Sequence, residues 1–142
     1  MRISRTWLIG SYTVGFGYIF LGYFLYDWSF HMVPYAGDSP VKKVAWDLFT
    51  DLYFVAFGTL TLLSSRLVSA RKPFATKFYS GIFWAGLVIL TAGQLGFSCF
   101  AYKGDPLEVF LLNMVTLLIL HIPALVLYLT RKHAAPRNVM TS

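Results

Sequence analysis

Charged side chains are scarce in this chain of 142 residues, of which only 13% are Asp, Glu, Lys or Arg. Ordinary soluble domains carry about 25% charged residues. Here 57% of the residues are hydrophobic and the mean hydropathy is +0.62. This balance argues against a soluble domain and favours a chain whose solvent is the lipid bilayer.

Cysteine, histidine and catalytic motifs are also scarce. Cys99 is the single cysteine, which excludes a disulfide within the chain. The sequence contains no P-loop, no G-x-G-x-x-G, no C-x-x-C and no nucleophile elbow. Of the three histidines only His121 falls within a long apolar stretch, so no histidine pair can hold haem between helices. The set Asp27, His31 and Asp38 has no specific metal-ligand spacing, and we predict neither a metal site nor a cofactor.

The sequence does contain four long stretches with few or no charged residues. Residues 6–26, 78–102 and 109–130 contain no charged residue, and residues 44–65 contain only Asp47 and Asp51. Each stretch is close to the ~20 residues that a membrane-spanning helix needs. We therefore predict a single transmembrane domain, residues 1–142, with helices at about 6–28, 44–67, 77–101 and 106–130 and a basic tail at 131–142. Its short connections favour an all-α, four-helix, up-and-down bundle.

The positions of the charges predict the orientation of this bundle. Nine of the twelve basic residues precede the first helix, connect helices 2 and 3 or follow the last helix, and all six acids lie towards the other end. Because short loops rich in Lys and Arg stay in the cytoplasm, we expect a multi-pass integral membrane protein with both termini cytoplasmic. The basic residues suit anionic lipid headgroups, and no fold that would present them to nucleic acid is recognisable.

Asp51 is the acid that this topology does not explain. Counting 1.5 Å per residue from the basic end of each helix places Asp27 and Asp47 near the membrane boundary but Asp51 inside the hydrocarbon layer. A carboxylate there costs about 2 to 3 kcal/mol, so we expect Asp51 to face the bundle interior and to have a partner. Asp47 needs only the positive end of the helix dipole to explain it.

The same count predicts a polar layer around Asp51, towards the non-cytoplasmic side. Gln94 of helix 3 and Asn113 of helix 4 fall at a similar depth, as does Tyr23 of helix 1. With Asp27 at the rim, these residues make a candidate ligand-binding site, whose members are Asp51, Asp27, Asn113, Gln94 and Tyr23. The alternative for Asp51 is a hydrogen bond between helices that has no chemical role.

His121 lies deeper, about 15 Å from Arg131 along helix 4. A histidine at this depth is suited to relaying protons or binding a ligand, because it titrates near neutral pH. The alternative is a neutral histidine that is hydrogen-bonded to the backbone. Pro123 supports this alternative, because a proline leaves the carbonyl four residues earlier, near residue 119, without its helical donor.

Small residues on helices 1 and 3 indicate where helices approach one another closely in lipid. Helix 1 offers two glycines, Gly15 and Gly22, together with Ser11. Helix 3 offers a four-residue set of the same kind: Gly81, Ala85, Ala92 and Gly96. We expect both sets to lie at helix contacts.

The layout resembles that of a known family. An acid at the end of helix 1 in FLYDWSF (Asp27), an acid in helix 2 in FTDLYF (Asp51), and a fourth helix with proline in HIPALVLYLTRK resemble the four-helix EXPERA-type proteins. That family includes the sigma-2 receptor and the emopamil-binding sterol isomerases, and the resemblance implies a sterol-like ligand. The chain departs from it in carrying Asp rather than Glu in helix 2. It is also similar in size and number of spans to DoxX-like bacterial membrane proteins.

Three functional interpretations follow from these features. In the first, Asp51 anchors a hydrophobic small molecule such as a lipid, sterol, quinone or amine, and in an enzymatic variant Asp27 and Asp51 act as acid and base. In the second, the protein is an accessory or scaffolding subunit that packs against a membrane-protein partner or another copy of itself. In the third, protons or cations pass along Asp51, Asn113 and His121.

Overall fold

The computed structural model describes residues 5–31, 40–101 and 106–131, and the regular secondary structure of this part of the chain is entirely helical. The helices are α1 (Arg5–His31), α2 (Pro40–Ser69), α3 (Ala75–Ala101), α4 (Pro106–Leu120) and α5 (Ile122–Thr130). The helical fold class is therefore confirmed. The loop around Asp38 and the tail beyond residue 131, with His133, lie outside the described residues, as do the side chains of His31 and Asp47.

The fourth predicted helix is not continuous, so the described chain has five helices where we expected four. α4 and α5 are separated at His121 and bent by 47°. The backbone N–H of His121 lies 3.1 Å from the carbonyl oxygen of Leu117 and 3.0 Å from that of Leu118, which marks a tightened turn. Pro123 has no N–H and its ring crowds the preceding turn, which gives the break a local cause.

Several of the helices are long and apolar enough for membrane spans. Three of them qualify within the described residues, at Arg5–Leu25, Leu48–Ser69 and Ala75–Gly96, and the bent pair Asn113–Leu120 with Ile122–Thr130 adds a fourth if it counts as one span. Large apolar side chains cover their outer faces, for example those of Phe16 and Phe20. A soluble protein rarely exposes apolar surface on this scale, and the fold indicates a multi-pass membrane protein.

α1 and α2 form the closest helix pair, and they run antiparallel. Near one end the hydroxyl of Ser65 donates to the hydroxyl oxygen of Ser11 at 2.7 Å. Further along, Gly15 packs against Gly58, and beyond that Gly22 packs against the backbone of Asp51. The small residues that the sequence indicated on helix 1 therefore do allow close approach to a neighbouring helix.

The corresponding prediction for helix 3 is wrong. Gly81, Ala85 and Ala92 are exposed, and a Cβ added at Gly81 or Gly96 would meet no heavy atom of the described residues within 4 Å. Two other glycines have the inward role, Gly86 against the ring of Phe57 and Gly93 against the ring of Phe49. Both faces of helix 3 carry small residues among apolar ones, so helical periodicity alone does not distinguish them.

One end of the bundle closes over a compact apolar cluster. It joins the first turn of α1, the junction of α2 with α3 and the end of α5, and its buried members are Trp7, Val68, Ala75, Tyr79 and Leu127. The basic residues near these positions are therefore brought to the same end of the molecule, while Asp51 and Gln94 lie towards the other end.

Candidate functional site

Asp51 lies in the interior of the bundle, as the cost of a carboxylate at its depth predicts. Its side chain is 5% exposed, and its backbone carbonyl packs against Gly22 of α1. The absence of a side chain at Gly22 lets the two helices meet at this level, because an added Cβ would lie 2.8 Å from the Asp51 carbonyl oxygen. The backbone that carries the carboxyl group is thus closely packed against α1.

Gln94 of α3 is the second buried polar group at this end. It is completely buried, and its amide nitrogen Nε2 donates to the hydroxyl oxygen of Ser98 at 3.5 Å, the outer limit of a hydrogen bond. Its carbonyl oxygen Oε1 accepts no hydrogen bond from the described residues. Because Phe49 of α2 packs against the neighbouring Gly93, Gln94 lies near the same level of the bundle as Asp51.

The other members of the predicted polar layer lie nearer the surface. Asn113 is half-buried on α4, and Asp27 is exposed near the end of α1. Tyr23 is 74% exposed and does not face the interior with Asp51. The structure therefore buries two of the five predicted ligand-binding residues, Asp51 and Gln94.

His121 occupies a different interior position, inside a group of four aromatic side chains. The centroid of its ring lies 5.8 Å from that of Tyr18 of α1. The rings of α2 are equally close, at 5.5 Å for Tyr53, 5.7 Å for Phe54 and 5.6 Å for Phe57. The imidazole is only 3% exposed, so it is enclosed by packing as well as by hydrogen bonds.

The hydrogen bonds of His121 define its tautomer. Nδ1 lies 2.8 Å from the carbonyl oxygen of Leu117, which can only accept, so Nδ1 carries the hydrogen. In the neutral ring Nε2 then accepts from the hydroxyl of Tyr53, at 2.7 Å. A carbonyl cannot pass a proton onward, so a relay through both ring nitrogens ends at Leu117. This geometry suits the structural alternative for His121 better than the proton relay.

Aromatic side chains also hold the backbone around the helix break. The hydroxyl of Tyr18 donates to the carbonyl of Leu120 at 2.8 Å. In an unbroken helix this carbonyl would accept from the N–H of Ala124. On the other side of the break, Tyr79 of α3 donates to the carbonyl of Ala124 at 3.1 Å.

A third aromatic donor fixes the end of α5. The indole N–H of Trp7 donates to the carbonyl of Leu127 at 3.1 Å. Sequence reasoning did not single out Tyr18, Tyr53 or Tyr79 as partners of the break. The signal in the sequence was Pro123, because a proline leaves backbone carbonyls of the preceding turn without their helical donors. Which helix supplies the replacement donors depends on the tertiary packing.

Among residues 5–31, 40–101 and 106–131, no group of three or more His, Cys, Asp or Glu side chains is placed to hold a metal ion. Within the set Asp27, His31 and Asp38, only the side chain of Asp27 lies in the described part.

Comparison with known proteins gives no match from which a function for this site could be transferred. No family model matches the chain, and no curated protein or solved structure matches it either. The resemblances to the EXPERA-type and DoxX-like proteins therefore stay hypotheses drawn from sequence layout. The described residues present two distinct interior features, a histidine with its hydrogen bonds complete and a buried amide with an available acceptor.

Proposed function

We propose that this protein is a multi-pass membrane protein, with both termini in the cytoplasm, that binds a hydrophobic small molecule beside Asp51 and Gln94. The observation that carries the proposal is the Oε1 atom of Gln94, which is buried and accepts no hydrogen bond from the described residues. A buried acceptor without a donor costs about 1 to 3 kcal/mol. A ligand that supplies the donor removes this cost and gains affinity from it.

The chemistry of this atom narrows the class of ligand. A carbonyl oxygen only accepts hydrogen bonds, so the polar group of the ligand is expected to donate one. The hydroxyl of a sterol or lipid qualifies, and so does the ammonium group of an amine, which Asp51 would attract as well. A quinone offers acceptor oxygens and fits this position less well. The apolar body of the ligand would lie against aromatic residues such as Phe49.

The variant Gln94→Leu tests the proposal, because it keeps the side chain's bulk and removes both polar groups. We expect the affinity for a hydroxyl- or amine-bearing ligand to fall about tenfold, the usual value of one buried hydrogen bond. The stability of the ligand-free protein should stay the same or rise. Suitable probes are a photoreactive sterol with a free hydroxyl and a photoreactive long-chain amine, with a photoreactive quinone for comparison. The measurement is saturable labelling of the purified protein.

Thr61→Val is the matched control for this substitution. Thr61 is also completely buried, but its hydroxyl already donates to the carbonyl of Phe57 at 2.9 Å, so its loss should leave labelling unchanged. Asp51→Asn, which preserves shape, should weaken labelling by the amine most strongly. Equal labelling of the wild type, Gln94→Leu and Asp51→Asn would contradict the proposal.

A second candidate function is that of an accessory subunit, and the outward face of α3 favours it. Gly81, Ala85 and Ala92 are exposed there, and a Cβ added at Gly81 or Gly96 would contact none of the residues that the structure describes. In membranes such small residues are enriched where another helix packs closely. The partner in this case is a transmembrane helix of another protein or of a second copy of this chain.

Replacing Gly81 with leucine tests this second candidate. The monomer should fold normally, because no described residue lies within 4 Å of a Cβ added at Gly81, whereas a helix packed on this face would be displaced. We expect the mass of the complex in mild detergent, measured by light scattering, to fall to that of the monomer. Gly17→Leu on α1 is the control, because it also points into open space but on another helix. A wild-type protein that is already monomeric would rule out a stable partner.

A further inference from the structure

The end of the bundle opposite Asp51 carries a concentration of basic side chains. Six of them lie in the described part of the chain, on the first turn of α1, around the junction of α2 with α3 and just after α5: Arg5, Arg66, Arg71, Lys72, Lys77 and Arg131. The apolar cluster at this end of the bundle connects these segments. No acid occurs before residue 27, between residues 52 and 104 or after residue 108, so these charges have no acidic neighbours in sequence.

The junction of α2 and α3, residues 70–74, presents two of these cations in a defined turn. The N–H of Arg71 donates to the carbonyl of Val68 at 2.9 Å, and that of Lys72 donates to the carbonyl of Leu67 at 3.0 Å. This pair of hydrogen bonds is the Schellman motif that ends many helices. Arg71 occupies its left-handed position, with φ of 57°, where glycine is usually found.

The same junction also exposes an aromatic side chain beside the cations. Residues 70 to 74 are all exposed, and the side chain of Phe74 is 51% exposed. Cations next to an exposed aromatic ring suit the boundary between lipid headgroups and acyl chains. The junction directly follows one candidate span and precedes another, at Leu48–Ser69 and Ala75–Gly96. The anions that a membrane offers at the end of a span are lipid phosphates.

We propose that this basic end, centred on Arg71 and Lys72, binds the headgroups of anionic phospholipids in the adjoining leaflet. The occupant follows from charge complementarity, from the exposure of Phe74 and from the position of the junction at the end of two spans. An acidic segment of another protein would match the charge, but it would not account for the exposed ring at membrane depth. The surface lies at the opposite end of the bundle from Gln94 and functions independently of the ligand proposed there.

Arg71→Gly tests the proposal without disturbing the turn. Glycine adopts a positive φ without strain, so the variant should be as stable as the wild type or more stable, while it removes one charge. The measurement is the relative association of spin-labelled phosphatidylglycerol and phosphatidylcholine with the full-length protein in phosphatidylcholine bilayers. We expect the wild type to prefer phosphatidylglycerol and the variant to lose up to about fivefold of this preference. Adding about 1 M NaCl, where the Debye length is about 3 Å, should suppress the preference in both.

A rescue variant separates charge from structure. Ala70 is exposed next to Arg71, so the double variant Arg71→Gly/Ala70→Lys restores the charge of the junction and should restore the preference. Failure of this rescue, or equal association of the two lipids with the wild type, would overturn the proposal. So would a wild type that shows no lipid preference but retains poly-glutamate in a salt-sensitive way, since that result assigns the surface to an acidic protein partner.

Discussion

His121→Ala is expected to lower the free energy of unfolding by about 3 to 5 kcal/mol, a cost comparable to truncating a buried aromatic residue. The substitution empties the space among four aromatic rings, all within 5.8 Å of the imidazole centroid. It also removes the partner of the Tyr53 hydroxyl, which is left buried. The bend between α4 and α5 loses the side chain that joins it to α2.

Two further variants help to interpret this loss of stability. One removes only the hydrogen bond, and the other is a control on the exposed face. Tyr53→Phe removes only the hydroxyl and leaves Nε2 of His121 without its donor, which should cost about 1 to 3 kcal/mol. Leu118→Ala truncates a side chain on the outer face of the same turn, which is 50% exposed, and should change the stability little. Unfolding in detergent micelles on titration with SDS gives the comparison. If His121→Ala and Leu118→Ala were equally mild, the enclosed position of the histidine would have no energetic importance.

Gly58→Ala is expected to cost about 3 kcal/mol, at the upper end of the range for adding atoms to a packed interior. The new Cβ would lie 2.6 Å from the carbonyl oxygen of Gly15 and 2.9 Å from the backbone nitrogen of Ile19. Backbone atoms cannot rotate away as a side chain can, so α1 and α2 have to move apart. That movement would also strain the contact between Ser11 and Ser65.

Gly17→Ala provides the matched control for Gly58→Ala. Gly17 is on the same helix pair, but a Cβ there meets nothing within 4 Å in the described part of the chain, so alanine should be neutral or slightly stabilising. The two variants differ from the wild type by the same methyl group, and thermal unfolding in one detergent compares them directly. Similar unfolding temperatures would show that the close approach of α1 to α2 does not contribute to stability.

His121 and Gln94 are both buried polar residues, but they differ in whether their hydrogen bonds are complete. The ring nitrogens of His121 are both engaged, one by Leu117 and one by Tyr53, which suits a group that maintains the fold. Gln94 retains an acceptor oxygen with no donor from the described residues, which suits a group that binds something else. Polar residues in a membrane interior are costly, and those without a structural task are candidates for a functional one.

The sequence predicted how deep a residue lies along its helix better than it predicted which side of the helix the residue occupies. The count of residues from the basic ends led to Asp51 and Gln94, and the structure buries both. The same count led to Tyr23, which is exposed, because depth along a helix does not specify the side of the helix on which a residue lies. In a chain that is apolar on all faces, amphipathic periodicity is too weak to supply that information.

The amino-acid sequence by itself determined the helical class, the approximate extent of the long apolar helices and the separation of basic from acidic ends, because these depend on local composition and on charge. Only the tertiary structure decided which glycines face a neighbouring helix, as Gly86 does and Gly81 does not. It also decided that Tyr18 and Tyr53 meet at the break in the fourth helix. These outcomes depend on how helices distant in sequence rotate and pack against one another, and helical periodicity in an apolar chain leaves that rotation open.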